Sequence, residues 1–63
     1  MLLNTLEAAA YLSVAEQTLR TWRISGAGPR FVRLGRLVRY RREDLVAFLE
    51  RNVFSNTAEA DGR

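Results

Sequence analysis

Six of the thirteen residues from Arg30 to Arg42, in the stretch RFVRLGRLVRYRR, are arginine, and none is acidic. A guanidinium carries a fixed charge and a planar fork of N–H donors, which matches phosphate oxygens and the O6/N7 edge of guanine. This is chemistry for holding a polyanion. The concentration extends back to Arg20 and Arg23, so residues 20–42 hold eight arginines and no acid, a local charge of +8. Residues 1–19 sum to −2 and residues 43–63 to −3, leaving the net +3 of the chain. A field segregated in this way favours an anionic partner. GC-rich codon usage also puts arginine in place of lysine, but it does not cluster arginines.

Bond-breaking chemistry has little to work with. The chain has no histidine and no cysteine, which removes the commonest general base, the thiolate nucleophile, disulfides and the usual zinc ligands together. The adjacent acids Glu43 and Asp44 have a sufficient explanation in the first turn of a helix, where carboxylates suit the dipole. No glycine-rich phosphate loop is present. The expectation is a protein without catalysis, cofactor, metal or small-molecule ligand. Exposed aromatics are too few for a single-strand stacking platform, which favours duplex DNA over RNA.

Sixty-three residues allow one domain, and a chain this short buries only ~60% of its unfolded surface. No apolar run approaches the ~20 residues of a membrane span. The N-terminus MLLNTLEAAAYL lacks a basic flank, so we expect a soluble, cytoplasmic protein, associated with the nucleoid when bound.

The elements that must position the arginines read as mostly α with a small β-hairpin, in the order helix, helix, hairpin, helix. Residues 1–54 form the domain, and the polar tail SNTAEADGR, residues 55–63, is expected to be disordered. In helix 1, Asn4 and Glu7 have capping-box spacing, Leu3 and Ala8 the staple positions, and Thr5, Ala8, Ala9 and Leu12 an inward stripe. Ser13 stands at the turn where glycine is often found and is expected also to cap helix 2 with Glu16. Helix 2, about Ala15 to Ser25, turns Ala15, Thr18, Leu19 and Trp22 inward. Gln17, Arg20, Thr21 and Ile24 face the opposite way, flanked by Glu16 and Arg23. Gly26 suits a C-cap, and Gly28-Pro29 a turn.

The hairpin follows. A three-residue loop at Gly35-Arg36-Leu37 pairs Leu34 with Val38, Val32 with Tyr40 and Arg33 with Arg39, and so sorts apolar from charged side chains. Arg36 is then at the tip. Helix 3, about Arg42 to Asn52, turns Leu45, Phe48 and Leu49 inward. The expected core is Leu12, Leu19, Trp22, Val32, Leu34, Val38, Tyr40, Leu45, Phe48 and Leu49. Leu6 lies off the inward stripe of helix 1, and Leu37 reads either as a small apolar wedge or as an exposed leucine.

Taken in order, EAAAYL, TLRTW, VRLGRLVRYRREDL and AFL resemble the small winged helix-turn-helix proteins of the excisionase and MerR-like group, over residues 2 to 50. The group includes phage excisionases and prophage-type regulators. The resemblance implies that helix 2 enters a major groove, with Gln17, Arg20 and Thr21 facing bases and Arg23 on a phosphate. The recognition set is Glu16, Gln17, Arg20, Thr21, Arg23 and Ile24. The hairpin wing would meet the backbone or a minor groove through Arg36 with Arg33 or Arg39, in a set of Arg30, Arg33, Gly35, Arg36, Arg39 and Arg41. Ala15 departs from the group, where a hydroxyl usually starts helix 2. The long dimerisation helix and effector domain of full-length MerR-type regulators are expected to be missing. The implied role is excision, with neighbouring copies on DNA and an integrase as partners. Transcriptional regulation stays open, and a module binding an acidic protein is the reading from another class.

Overall fold

The computed structural model describes residues 2–54; the expected tail lies outside them. Its order is β1 (Leu2–Leu3), α1 (Thr5–Leu12), α2 (Glu16–Ser25), β2 (Val32–Leu34), β3 (Leu37–Arg41) and α3 (Arg42–Arg51). Three helices pack with an antiparallel sheet of order β1-β3-β2, a winged helix-turn-helix.

α1 begins where both halves of a capping box close. Asn4 Oδ1 accepts from the Glu7 backbone N–H at 2.8 Å, and Glu7 Oε1 accepts from the Asn4 N–H at 2.9 Å. A cap of this kind contributes about 1 kcal/mol. The helix ends on Ser13 in the left-handed region, φ 59. The Ser13 N–H donates to Ala10 O at 3.2 Å and the Val14 N–H to Ala9 O at 3.0 Å. That pair of bonds is a Schellman ending with serine where glycine is preferred, at a cost of roughly 1 kcal/mol. Ser13 is therefore committed to closing α1. It does not cap α2, whose cap is Ala15 without a side-chain hydrogen bond.

Ala8, Ala9, Leu19, Tyr40 and Leu45 are fully or almost fully buried, and Leu3, Leu12, Val14, Trp22, Phe31 and Val38 pack around them. The alanines let α1 approach α2 closely. Trp22 meets Phe48 of α3 with ring centroids 5.5 Å apart. The loop after α2 closes over Trp22: a Cβ at Gly28, φ 80, would lie 2.8 Å from Trp22 Cε3. Only glycine satisfies both the angle and the approach.

The sheet corrects the sequence reading in three ways. First, Leu2–Leu3 form a strand, pairing Leu2 with Arg41 and Leu3 with Tyr40; two residues are too few for a visible period. Second, the hairpin closes through two residues, Gly35 and Arg36, pairing Leu34 with Leu37, Arg33 with Val38 and Val32 with Arg39. Gly35 alone takes a positive φ, 63, as a type II′ turn with glycine first requires. Turn geometry outweighs side-chain sorting here because β2 has only three residues to reward an apolar register. Third, that shift exchanges faces. Phe31 joins Val38 and Tyr40 inside, its ring centroid 6.1 Å from that of Tyr40. Val32 lies outside the core cluster and Leu34 is exposed. Arg33 and Arg39 are not cross-strand partners, so like charges do not face each other across the strands there. In α3, Leu45 is buried but Leu49 is exposed, since the helix meets the core over its first turns and Leu49 lies beyond them.

Candidate nucleic-acid interface

α2 presents one uncovered face. Gln17, Arg20, Thr21 and Ile24 are all exposed, Ile24 at 88%. They sit opposite buried Leu19, as the helical period demands. Their polar groups are held only by neighbours one turn away. Gln17 Nε2 donates to Thr21 Oγ1 at 3.4 Å, and Arg20 Nη2 to Glu16 Oε2 at 3.4 Å. Bonds this long on an exposed surface exchange readily for contacts to a partner. An amide, a guanidinium, a hydroxyl and an aliphatic group are what base edges in a major groove can be read with.

Beside this face runs a cleft of about 360 Å³ between the start of α1, α2 and the wing, lined in part by Thr5, Glu16, Arg23, Arg36, Leu37 and Arg39. The fold thus brings together three of the arginines singled out in the sequence: Arg23 from α2 and Arg36 and Arg39 from the wing. Arg36 sits at the exposed tip, and Arg39 Nη1 donates back to Val38 O at 2.8 Å.

Arg23 departs from its expected place as a flank of the recognition face. It is half-buried and turned across the domain. Nη1 donates to Tyr40 Oη at 2.8 Å and to Thr5 Oγ1 at 3.2 Å, and its guanidinium carbon lies 6.0 Å from the Phe31 ring centroid. The inward turn follows from the position of Arg23 between the two faces of α2, one residue after Trp22. Neither hydroxyl was singled out in the sequence as a site residue, since both lay in stripes expected to be core.

The other wing residues separate. Arg33 stacks over Phe31, 5.8 Å from the centroid. Arg41, expected on the solvent face of the wing, instead locks the hairpin to α3. Its Nε donates to Asp44 Oδ2 at 2.7 Å and its Nη2 to Asp44 Oδ1 at 3.0 Å, with Glu43 3.5 Å away. The reason is the tight junction: α3 begins at Arg42, so the acids of its first turn fall beside the last strand residue. Asp44 is buried. The Arg41 hydrogen bonds hold its carboxyl below the usual value of 3.8 against the opposing effect of burial, with the charges of Arg41 and Arg30 adding to the lowering. Hydrogen bonding to Asp44, then the charges of Asp44 and Glu43, raise Arg41. Arg30 is thus placed near the base of the wing, beside a second cleft lined by Trp22, Arg23, Gly28 and Phe31. Gly35 acts through its backbone angle alone.

Among the described residues no cluster of three or more possible metal ligands occurs, and no helix is long and apolar enough to cross a membrane. A second helix with an exposed face, the turn before it and a basic wing define a helix-turn-helix protein. The profile of the helix-turn-helix domain family matches residues 2–53, and the chain belongs to that family. Membership indicates DNA as the partner. No curated protein matches the chain.

Proposed function

We propose that the protein is an excisionase: a directionality factor that binds adjacent duplex sites, bends the DNA and biases an integrase towards excision. The observation that carries this reading is the exposed face of α2 set beside an arginine-lined cleft under the wing. In this account α2 enters the major groove with Gln17, Arg20 and Thr21 at base edges and Ile24 against a thymine methyl group. The wing follows the neighbouring backbone, and its tip reaches a minor groove. Leu34 and Leu37 are paired at that tip and are 49% and 52% exposed; apolar groups so placed can wedge between base steps and bend a duplex. The protein acts without catalysis or cofactor, in the cytoplasm, and its further partners are an integrase and neighbouring copies of itself on DNA.

The test is a gel-shift titration on fragments of the protein's own genomic neighbourhood with random DNA as competitor, followed by excision assays with any integrase encoded there. A competitor-resistant ladder of shifts and stimulated excision are expected. If ~4–6 phosphates are neutralised, log K falls with log salt at a slope of roughly −4 to −5. A specific shift at a promoter that alters transcription but not excision replaces this reading with that of a small prophage-type regulator. Weak, fully competed binding, together with a partner retained in nuclease-treated, high-salt samples, favours a module for an acidic protein.

A further inference from the structure

Arg23 carries an uncompensated charge in an ordered position. Among the described residues it forms no ion pair, although it is half-buried. Its protein hydrogen bonds both run through Nη1, to two neutral hydroxyls. Nε and Nη2 keep their donors free of protein partners among the described residues. A cation held this way is fixed in direction yet left without an anion, which costs free energy unless an anion arrives.

The cleft beside it supplies the setting. Arg36 and Arg39 line the same space, and so does Glu16, whose carboxylate is engaged by Arg20 at 3.4 Å. Three guanidinium groups against the single carboxylate of Glu16 leave the cleft positive on balance, which favours a phosphodiester over a cationic or neutral group. Arg36 is free to swing from an exposed tip and must lose that freedom on binding. Arg23 has already lost it, so its contact carries less ordering cost.

We propose that Tyr40 and Thr5 are positioning residues: their hydroxyls hold Arg23 so that its free donors seat one DNA backbone phosphate in the cleft between α1, α2 and the wing. The inference rests on the DNA-binding reading. Neither hydroxyl touches the phosphate; each acts through Arg23. Tyr40 joins this task to the core, since the residue is almost fully buried and its hydroxyl accepts from Arg23 Nη1 at 2.8 Å.

The experiment measures binding of the full chain to a mixed-sequence DNA duplex over a salt series, for the wild type and for Tyr40→Phe, Thr5→Val, Arg23→Gln and Tyr40→Phe combined with Arg23→Gln. Thermal melting controls for folding. Arg23→Gln should flatten the log K against log salt slope by about 0.9, one phosphate contact. Tyr40→Phe and Thr5→Val should each weaken binding about 3- to 10-fold at an unchanged slope, because the charge remains but is less well aimed. In the Arg23→Gln background the Tyr40→Phe change should have no further effect. Wild-type affinity in folded Tyr40→Phe protein overturns the proposal. So does a Tyr40→Phe loss that persists in full without Arg23, which marks the hydroxyl as structural. A wild type that binds no duplex at all is a different failure: it removes the DNA-binding reading itself.

Discussion

The two halves of the interface are built by different means. On the outward face of α2, Gln17 and Arg20 are held only by residues of the same helix, through bonds of 3.4 Å between exposed groups. Around the cleft and the base of the wing, two arginines are anchored by other elements, Arg23 from the inward edge of α2 by Tyr40 and Thr5 and Arg41 by Asp44, while Arg36 stays free at the tip. The first arrangement leaves groups adaptable, as base reading requires. The second fixes charge in space, as registration on a backbone requires. In the proposed account the outward face of α2 supplies specificity and the arginines of the cleft and wing supply position, and each side can be disturbed separately.

The largest effect is expected at the loop that joins the two halves. Gly28→Ala forces a side chain to φ 80 and into Trp22, and should destabilise the fold by about 1–3 kcal/mol. Denaturant unfolding checks this, with Gly26→Ala, where a Cβ meets nothing within 4 Å, expected to cost less. At the base of the wing, the Asp44 carboxyl is depressed in the folded state. The stability it contributes is therefore present above the ordinary value of 3.8 and lost as pH falls through the lower folded value. Melting temperature should fall as pH drops below about 4, and Asp44→Asn should be less stable at neutral pH and flatten that dependence. A wild type and an Asp44→Asn variant with parallel pH profiles would remove the anchor from the account. The smallest effect is on the helical side: Ser13→Gly relieves the left-handed serine and should raise stability by about 0.5–1 kcal/mol without changing DNA affinity.

The same contrast explains what could be read in the sequence. The start of α1, the outward face of α2 and the acidic first turn of α3 are local patterns within a few residues, so their periods and caps are visible in the chain. The resemblance of EAAAYL, TLRTW and the hairpin-to-helix segment reached the winged architecture. The hairpin register was out of reach because two loop lengths fit the same residues, and the choice turned on backbone twist at Gly35 rather than on side-chain sorting. With that slip Val32 and Leu34 changed places with Phe31. Arg23 turning inward and Arg41 pairing with Asp44 depend on where Tyr40 and α3 come to lie. Those are tertiary facts with no local signature. Ser13 was ambiguous for a simpler reason: it stood in the short turn between two helices and could serve only one.

The division of labour between α2 and the wing is tested most directly by comparing Arg20→Ala with Arg36→Ala on a specific duplex and a random one, at two salt concentrations. Arg20→Ala should cost ~1–3 kcal/mol on the specific duplex and little on the random one, with the salt slope nearly unchanged. Arg36→Ala should weaken both duplexes alike and flatten the slope by about 0.9. Equal losses on both duplexes for both variants would contradict the account, leaving α2 and the wing as one undifferentiated basic surface.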